Sequence, residues 1–274
     1  MDCWIWQGLA RIDSVRADDR GLAYGDGLFE TVRVISGRPV LMERHWARLS
    51  AGCVRLGLPD LAFWREALDE FLAGRGDGLV KLQVTRGSGG RGYLPPFEPE
   101  PVFILSWHAL PDYPPQHARE GIVAGLCQLE LAIQPALAGI KHLNRLEQVL
   151  LRRELVAQPG CAEAVVCDSE GRVVEGVFSN IFLVRDGVLI TPDLARCGVR
   201  GVLRDALLDA AAEAGMPAQV GEVGLADCGA ADEWFFCNSV YGIWPVRRWG
   251  ERAWRPGPMT RQCQAIISAW FRDA

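Results

Sequence analysis

The spacing of apolar residues divides the 274-residue chain into alternating strands and helices. Strict alternation marks residues 78–86, where Leu79, Lys81, Gln83 and Thr85 share one face and Val80, Leu82 and Val84 the other, so this is a half-buried strand. Shorter runs at 4–7, 28–35 and 101–108 read as further strands, the second closed by a Ser36-Gly37-Arg38-Pro39 turn. Between them, Trp46, Leu49, Cys53, Val54 and Leu56 recur at helical spacing over 43–58, and 61–72 repeats the pattern.

The texture then changes. Pro111-Asp112-Tyr113-Pro114-Pro115 continues neither a helix nor a central strand, which predicts a linker over 109–120 between an N-terminal domain, 1–108, and a C-terminal domain, 121–274. The second half opens with an apolar segment at 121–131. A helix over about 144–157 follows, with Leu146, Val149, Leu150 and Leu155 as its apolar face. Strands are expected at 162–167, 172–177 and 181–184, with Asp168-Ser169-Glu170-Gly171 as a hairpin turn, and further on at 232–236 and 243–248. Helices are expected at 200–214 and 260–271, and no internal repeat is evident. The fold class is α+β, a mixed α/β protein of two domains.

Composition narrows the function. With 49% hydrophobic and 23% charged residues the chain is an ordinary globular protein. Its net charge of -5 gives no electrostatic reason to bind nucleic acid or an anionic membrane. Met1-Asp2-Cys3-Trp4 has an acid where a signal peptide needs cations, and the uncharged run 234–246 is too short to cross a bilayer. The nine cysteines contain no C-x-x-C pair and the four histidines lack ligand spacing. The expectation is no metal, and buried free thiols in a reducing cytoplasm.

Only two of the 29 basic residues are lysines, Lys81 and Lys141. A guanidinium cannot form an imine with an aldehyde, so a lysine retained against such an arginine bias points to a required primary amine. Lys141 lies in Ala138-Gly139-Ile140-Lys141-His142-Leu143-Asn144-Arg145, an irregular apolar-flanked segment just before a helix. Partial desolvation there favours the neutral, nucleophilic amine. Gly198-Val199-Arg200-Gly201-Val202-Leu203 opens a helix whose first amides suit a phosphate, and Glu175 stands among valines in a strand. By itself, Glu175 reads more readily as a solvent-facing strand residue. Gly87-Ser88-Gly89-Gly90-Arg91-Gly92 matches G-x-G-x-x-G, but Pro95 and Pro96 exclude the helix a dinucleotide loop must open. A flexible cationic loop carrying Arg86, Arg91 and Tyr93 toward a ligand carboxylate is the reading preferred over a plain surface loop.

Five segments occur in an order that identifies a family. They are Tyr24-Gly25-Asp26-Gly27-Leu28-Phe29-Glu30-Thr31, His45-Trp46-Ala47-Arg48-Leu49, the lysine segment, Glu175-Gly176 with Ser179-Asn180-Ile181-Phe182, and Gly201-Val202-Leu203-Arg204-Asp205. Together they resemble the fold-type IV pyridoxal-phosphate (PLP) enzymes, which include branched-chain and D-amino-acid aminotransferases and 4-amino-4-deoxychorismate lyases. The resemblance implies a smaller N-terminal and a larger C-terminal domain with the cofactor between them, in a cytoplasmic homodimer. It implies an internal aldimine on Lys141, Glu175 at the pyridine nitrogen, and Arg48, the amides of Val202 and Leu203, and Ser239 on the phosphate, with Asn180 also beside the cofactor.

The stretches Arg86–Tyr93 and Leu137–Leu150 are most similar to the lyase branch. That branch takes a small-molecule substrate, 4-amino-4-deoxychorismate, to 4-aminobenzoate and pyruvate on the route to folate. Lys141 would then shuttle protons, helped by Thr31, while Arg91, Tyr93, Phe29 and Asn238 face the substrate. The alternative is a D-amino-acid or branched-chain aminotransferase on the same fold. Phe29 and Tyr93 stand where D-amino-acid aminotransferases carry tyrosine and histidine, and the branched-chain enzymes lack the Arg86–Tyr93 loop.

Overall fold

A computed structural model of the protein describes residues 2–272. The chain forms two compact units, one running to Pro111 and including Ile140–Asn144, the other made of Asp112–Gly139 and the residues from Arg145 onward.

The first unit contains β1 (Cys3–Gln7), β2 (Ala10–Ile12), α1 (Arg20–Tyr24), β3 (Gly27–Ile35), β4 (Arg38–Pro39), α2 (Met42–Leu56), α3 (Trp64–Leu72), β5 (Gly78–Thr85) and β6 (Val102–His108). Its strands pair antiparallel in the order β2-β1-β6-β5-β3-β4. The alternation read from 78–86 is realised: Val80, Leu82 and Val84 join Leu28, Val32, Phe103 and Leu105 in the core, while Lys81 and Gln83 stay half-buried. Each such buried side chain contributes about 1.5–3 kcal/mol. Cross-strand register sets Thr31 opposite Lys81 and Phe29 opposite Gln83, so these four share the half-buried face.

The lysine segment pairs with β3. The Phe29 N–H donates to the Lys141 carbonyl (2.9 Å) and the Leu143 N–H to the Gly27 carbonyl (2.9 Å). Those bonds group Ile140–Asn144 with the first unit rather than with the rest of 121–274.

The second unit contains α4 (Gln116–Glu120), β7 (Ile122–Leu126), α5 (Leu146–Val156), β8 (Cys161–Cys167), β9 (Val173–Gly176), β10 (Asn180–Arg185), β11 (Val188–Pro192), α6 (Val202–Glu213), β12 (Ala218–Gly221), α7 (Leu225–Ala230), β13 (Glu233–Asn238), β14 (Gly242–Trp249), β15 (Arg252–Ala253) and α8 (Pro258–Trp270). The sheet runs β12-β11-β10-β13-β14-β7-β8-β9, with β15 on β14. Ile122, Val165, Ile181, Leu183, Trp234, Phe236, Trp244 and Val246 form its core.

Two expectations change. The stretch read as a linker holds α4, a short helix that begins immediately after Pro115. In α5 the buried face is Leu151 and Leu155, an i, i+4 pair packed with Ala164 and Val166 of β8, whereas Leu146, Val149 and Leu150 are exposed. Leucines and valines surround this helix, so spacing alone does not select the inward side. Among the described residues, no helix is long and apolar enough to cross a membrane. All nine cysteines are free, and all but Cys3 and Cys161 are buried.

Candidate active site

The candidate residues are distributed over both units. In the first, the backbone pairing with β3 carries the Lys141 Nζ to 4.3 Å from the centre of the Phe29 ring. The Lys81 Nζ lies 5.4 Å from the centre of the same ring, so both lysines of the chain meet one aromatic ring. Burial lowers the Lys81 pKa. Thr31, two residues along β3 from Phe29, is on the same half-buried face.

The opposite face of β3 presents Glu30, which is fully buried. Arg48 on α2 grips it side-on, Nε donating to Oε1 (2.7 Å) and Nη2 to Oε2 (2.5 Å), and the His45 Nδ1 lies 2.7 Å from Oε2. Burial would raise the Glu30 pKa, but Arg48 first and His45 second outweigh it and hold the carboxyl at about 2. For His45 burial prevails, lowering its pKa, so the ring is neutral at pH 7. The sequence reading used Arg48 and passed over Glu30. The available signal was an acid at an inward-facing position of an alternating strand, which requires a cationic partner.

In the second unit, Glu175 is buried at the end of β9, and its Oε2 accepts the Val199 N–H at 2.8 Å. The Asn180 Nδ2 donates to the Val199 carbonyl (2.9 Å). A Cβ on Gly201 would stand 1.9 Å from the Asn180 Oδ1, so only glycine fits between that amide and the start of α6. Val202 and Leu203 begin α6, and Gly201 supplies no side-chain cap, leaving first-turn N–H groups of the kind that bind anions.

Asn238 at the end of β13 is committed to the turn that follows. Its Nδ2 donates to the Phe178 carbonyl (3.2 Å), and its Oδ1 accepts from Val240 and Tyr241 (2.9 Å each). These bonds hold the turn that carries Ser239. A second group that the sequence reading did not use is Glu163 on β8. This buried carboxyl accepts the Ser179 hydroxyl (2.6 Å) and the N–H groups of Val177 (2.9 Å) and Ala164 (3.0 Å). It thereby ties down the turn between Glu175 and Asn180.

The glycine-rich loop also departs from expectation. Arg86 does not reach outward: it is buried, bound to Asp26 (2.8 and 3.0 Å) and to the carbonyls of Leu56 (2.7 Å) and Gly57 (3.0 Å). Arg20 also bonds Asp26 (3.0 Å) and donates to the carbonyls of Gly89, Gly92 and Tyr93 at 3.4, 2.8 and 3.1 Å. Burial opposes the Asp26 charge, but the two arginines outweigh it and depress its pKa. The loop is thus pinned to buried charges. Arg91 and Tyr93 remain exposed, Tyr93 to 87%, with its ring 5.5 Å from that of Tyr24.

These arrangements accompany clear likenesses to known proteins. The model of the amino-transferase class IV family matches residues 27–249. The chain is 36% identical over 231 residues to an aminodeoxychorismate lyase of Vibrio harveyi, covering 83% of this chain and 84% of that one. It is 30% identical over 241 residues to a D-alanine aminotransferase of Listeria innocua, covering 85% and 81% respectively. The crystal structure of a 4-amino-4-deoxychorismate lyase from Pseudomonas aeruginosa superposes with a TM-score of 0.92 at 51% identity, covering 97% of each chain. The protein is an enzyme-family member by every one of these measures, and the chain belongs to the class IV aminotransferases.

Proposed function

We propose that this protein is a PLP-dependent lyase that converts 4-amino-4-deoxychorismate into 4-aminobenzoate and pyruvate. The observation that carries the reading is the 51% identity over 97% of the chain to a lyase of that name. The Arg86–Tyr93 and Leu137–Leu150 stretches support it.

The residues present suit the cofactor. PLP needs a primary amine, a carboxylate for its pyridine nitrogen and an anion cradle. Lys141 offers the amine, and Glu175 is a buried acid whose Oε2 already takes one N–H donor. The uncapped start of α6, cleared of side-chain bulk at Gly201, offers the cradle. Arg48, the N–H groups of Val202 and Leu203, and Ser239 would hold the phosphate, with Asn180 fixing the helix terminus. When bound, PLP supplies an aldehyde to capture the substrate amine and an electron-poor ring to favour loss of the neighbouring proton.

The side chains of this protein do the rest. With its amine free beside the substrate, the Lys141 Nζ would take the proton from the amine-bearing ring carbon. It then returns a proton to the departing enolpyruvyl carbon, and ring aromatisation drives the elimination. Thr31 supports that transfer from the face it shares with Phe29. Phe29 keeps the amine against an apolar surface, and Lys81 adds a second cation to that surface for a substrate bearing two carboxylates. Arg91 and Tyr93, turned to solvent, serve the site of a second copy in a homodimer. The free thiols suit a reducing cytoplasm.

The deciding assay supplies enzymatically generated aminodeoxychorismate and follows 4-aminobenzoate. Rapid glutamate formation from D-alanine or branched-chain amino acids with 2-oxoglutarate, without 4-aminobenzoate, would replace the lyase by an aminotransferase. Lys141→Ala should lower turnover on the order of 10³-fold or more and abolish borohydride-stable attachment of the pyridoxyl group. Lys81→Arg should retain the attachment. Mass spectrometry locating it at Lys81 would overturn the assignment.

A further inference from the structure

Glu30 belongs to the same strand as Phe29 and Thr31 but faces the other way, and it is only 1% exposed. Its partners Arg48 and His45 lie on one face of α2. Arg48 and His45 are three residues apart there, and together they bring three donors to the carboxylate, Arg48 through Nε and Nη2 and His45 through Nδ1. A neutral His45 donates its Nδ1–H, so the formal charges in this cluster are one anion and one cation.

The geometry restricts Arg48. A guanidinium is planar, and an edge-on grip through Nε and Nη2 fixes both its plane and its rotation. The Nη1 end is thereby directed away from the carboxylate. The Arg48 side chain retains 14% exposure against 1% for Glu30, so the pair is buried at the acid and open at the base. An arginine held this way presents its cation without having to be ordered by the anion it meets.

We propose that Glu30 is a positioning residue that fixes the orientation in which Arg48 receives the cofactor phosphate, so that cofactor affinity depends on a carboxylate that does not itself touch the cofactor. The inference rests on the phosphate role proposed above for Arg48. It adds a requirement that a merely structural ion pair would not impose: the contribution of Glu30 should be specific to ligands carrying the phosphate.

The test titrates the full-length apoprotein with PLP and, in parallel, with pyridoxal, which lacks the phosphate, following tryptophan fluorescence. Glu30→Gln puts an amide N–H against guanidinium N–H groups and breaks the fork while keeping the shape. PLP affinity should fall about 10- to 100-fold, the scale of an outer residue acting through a ligand, while pyridoxal affinity changes less than about twofold. In an Arg48→Ala background the same Glu30→Gln change should have no further effect on PLP affinity, because its route is gone. Equal losses for PLP and pyridoxal, or no loss of PLP affinity, would overturn the proposal. A wild-type protein that binds PLP no better than pyridoxal would instead remove the phosphate role of Arg48, a separate failure. If Glu30→Gln does not fold, Glu30→Asp carries the test, since it keeps the charge and shifts the fork by one methylene. A smaller loss confined to PLP supports the proposal, and an unchanged PLP-to-pyridoxal ratio overturns it.

Discussion

Glu163 shows what a single residue can contribute without facing a ligand. Burial pushes its carboxyl up to about 7, although the Ser179 hydroxyl and the N–H groups of Ala164, Val177 and Phe178 pull the other way. Its ordinary value is near 4.5, so the folded protein holds this proton over a range in which the unfolded chain has released it. The folded state therefore loses stability as pH rises from about 4.5 through 7, by roughly 3 kcal/mol once both states are ionised. Glu163→Gln, a mimic of the protonated acid, should flatten that dependence and raise Tm at pH 8 relative to the parent. Urea denaturation at pH 5 and pH 8 measures it, and parallel pH profiles for the two proteins would refute it. The proposals for Lys141 and Glu175 come from motifs that are contiguous in sequence. Glu30 and Glu163 were less legible there, because the roles of buried acids are set by partners that only folding brings together: Arg48 for one, Ser179 for the other.

At the scale of elements, α1 and the glycine-rich loop act as one piece. The Asp19 side chain caps α1 through the Gly21 N–H (2.7 Å) and also accepts the Thr85 hydroxyl (2.8 Å), which places Arg20 where it collects three loop carbonyls. Arg20→Ala leaves those carbonyls and Asp26 short of a donor. It should cost on the order of 3 kcal/mol and speed hydrogen exchange of the amides at 88–94 well beyond that of β5. Unchanged exchange in the loop would show that the guanidinium does not hold it. Helix α1 spans only five residues, too few for periodicity to register, and the loop read from sequence as flexible is ordered by a charge that no local pattern announces. By contrast α2, with His45, Trp46, Leu49 and Cys53 at helical spacing on its buried side, was legible almost to its end at Gly57.

For the molecule as a whole, the mixed α/β class and most strands followed from periodicity, whereas the transfer of Ile140–Asn144 to the first unit did not. That transfer depends on backbone hydrogen bonds to a strand far back in the chain, which no window of sequence contains. Leu146, Val149 and Leu150 form an exposed apolar row on α5. The attachment of the lysine segment has one more consequence. Main-chain bonds fix residue 141 from both sides, Gly139 to Gly198 and Arg200 within its own unit, and residues 141 and 143 to β3 within theirs. The location of the proposed nucleophile is thus written into the backbone, and its chemistry into one replaceable side chain. Truncating that side chain leaves its anchorage standing, and a small diffusible amine such as methylamine then has room to stand in for it.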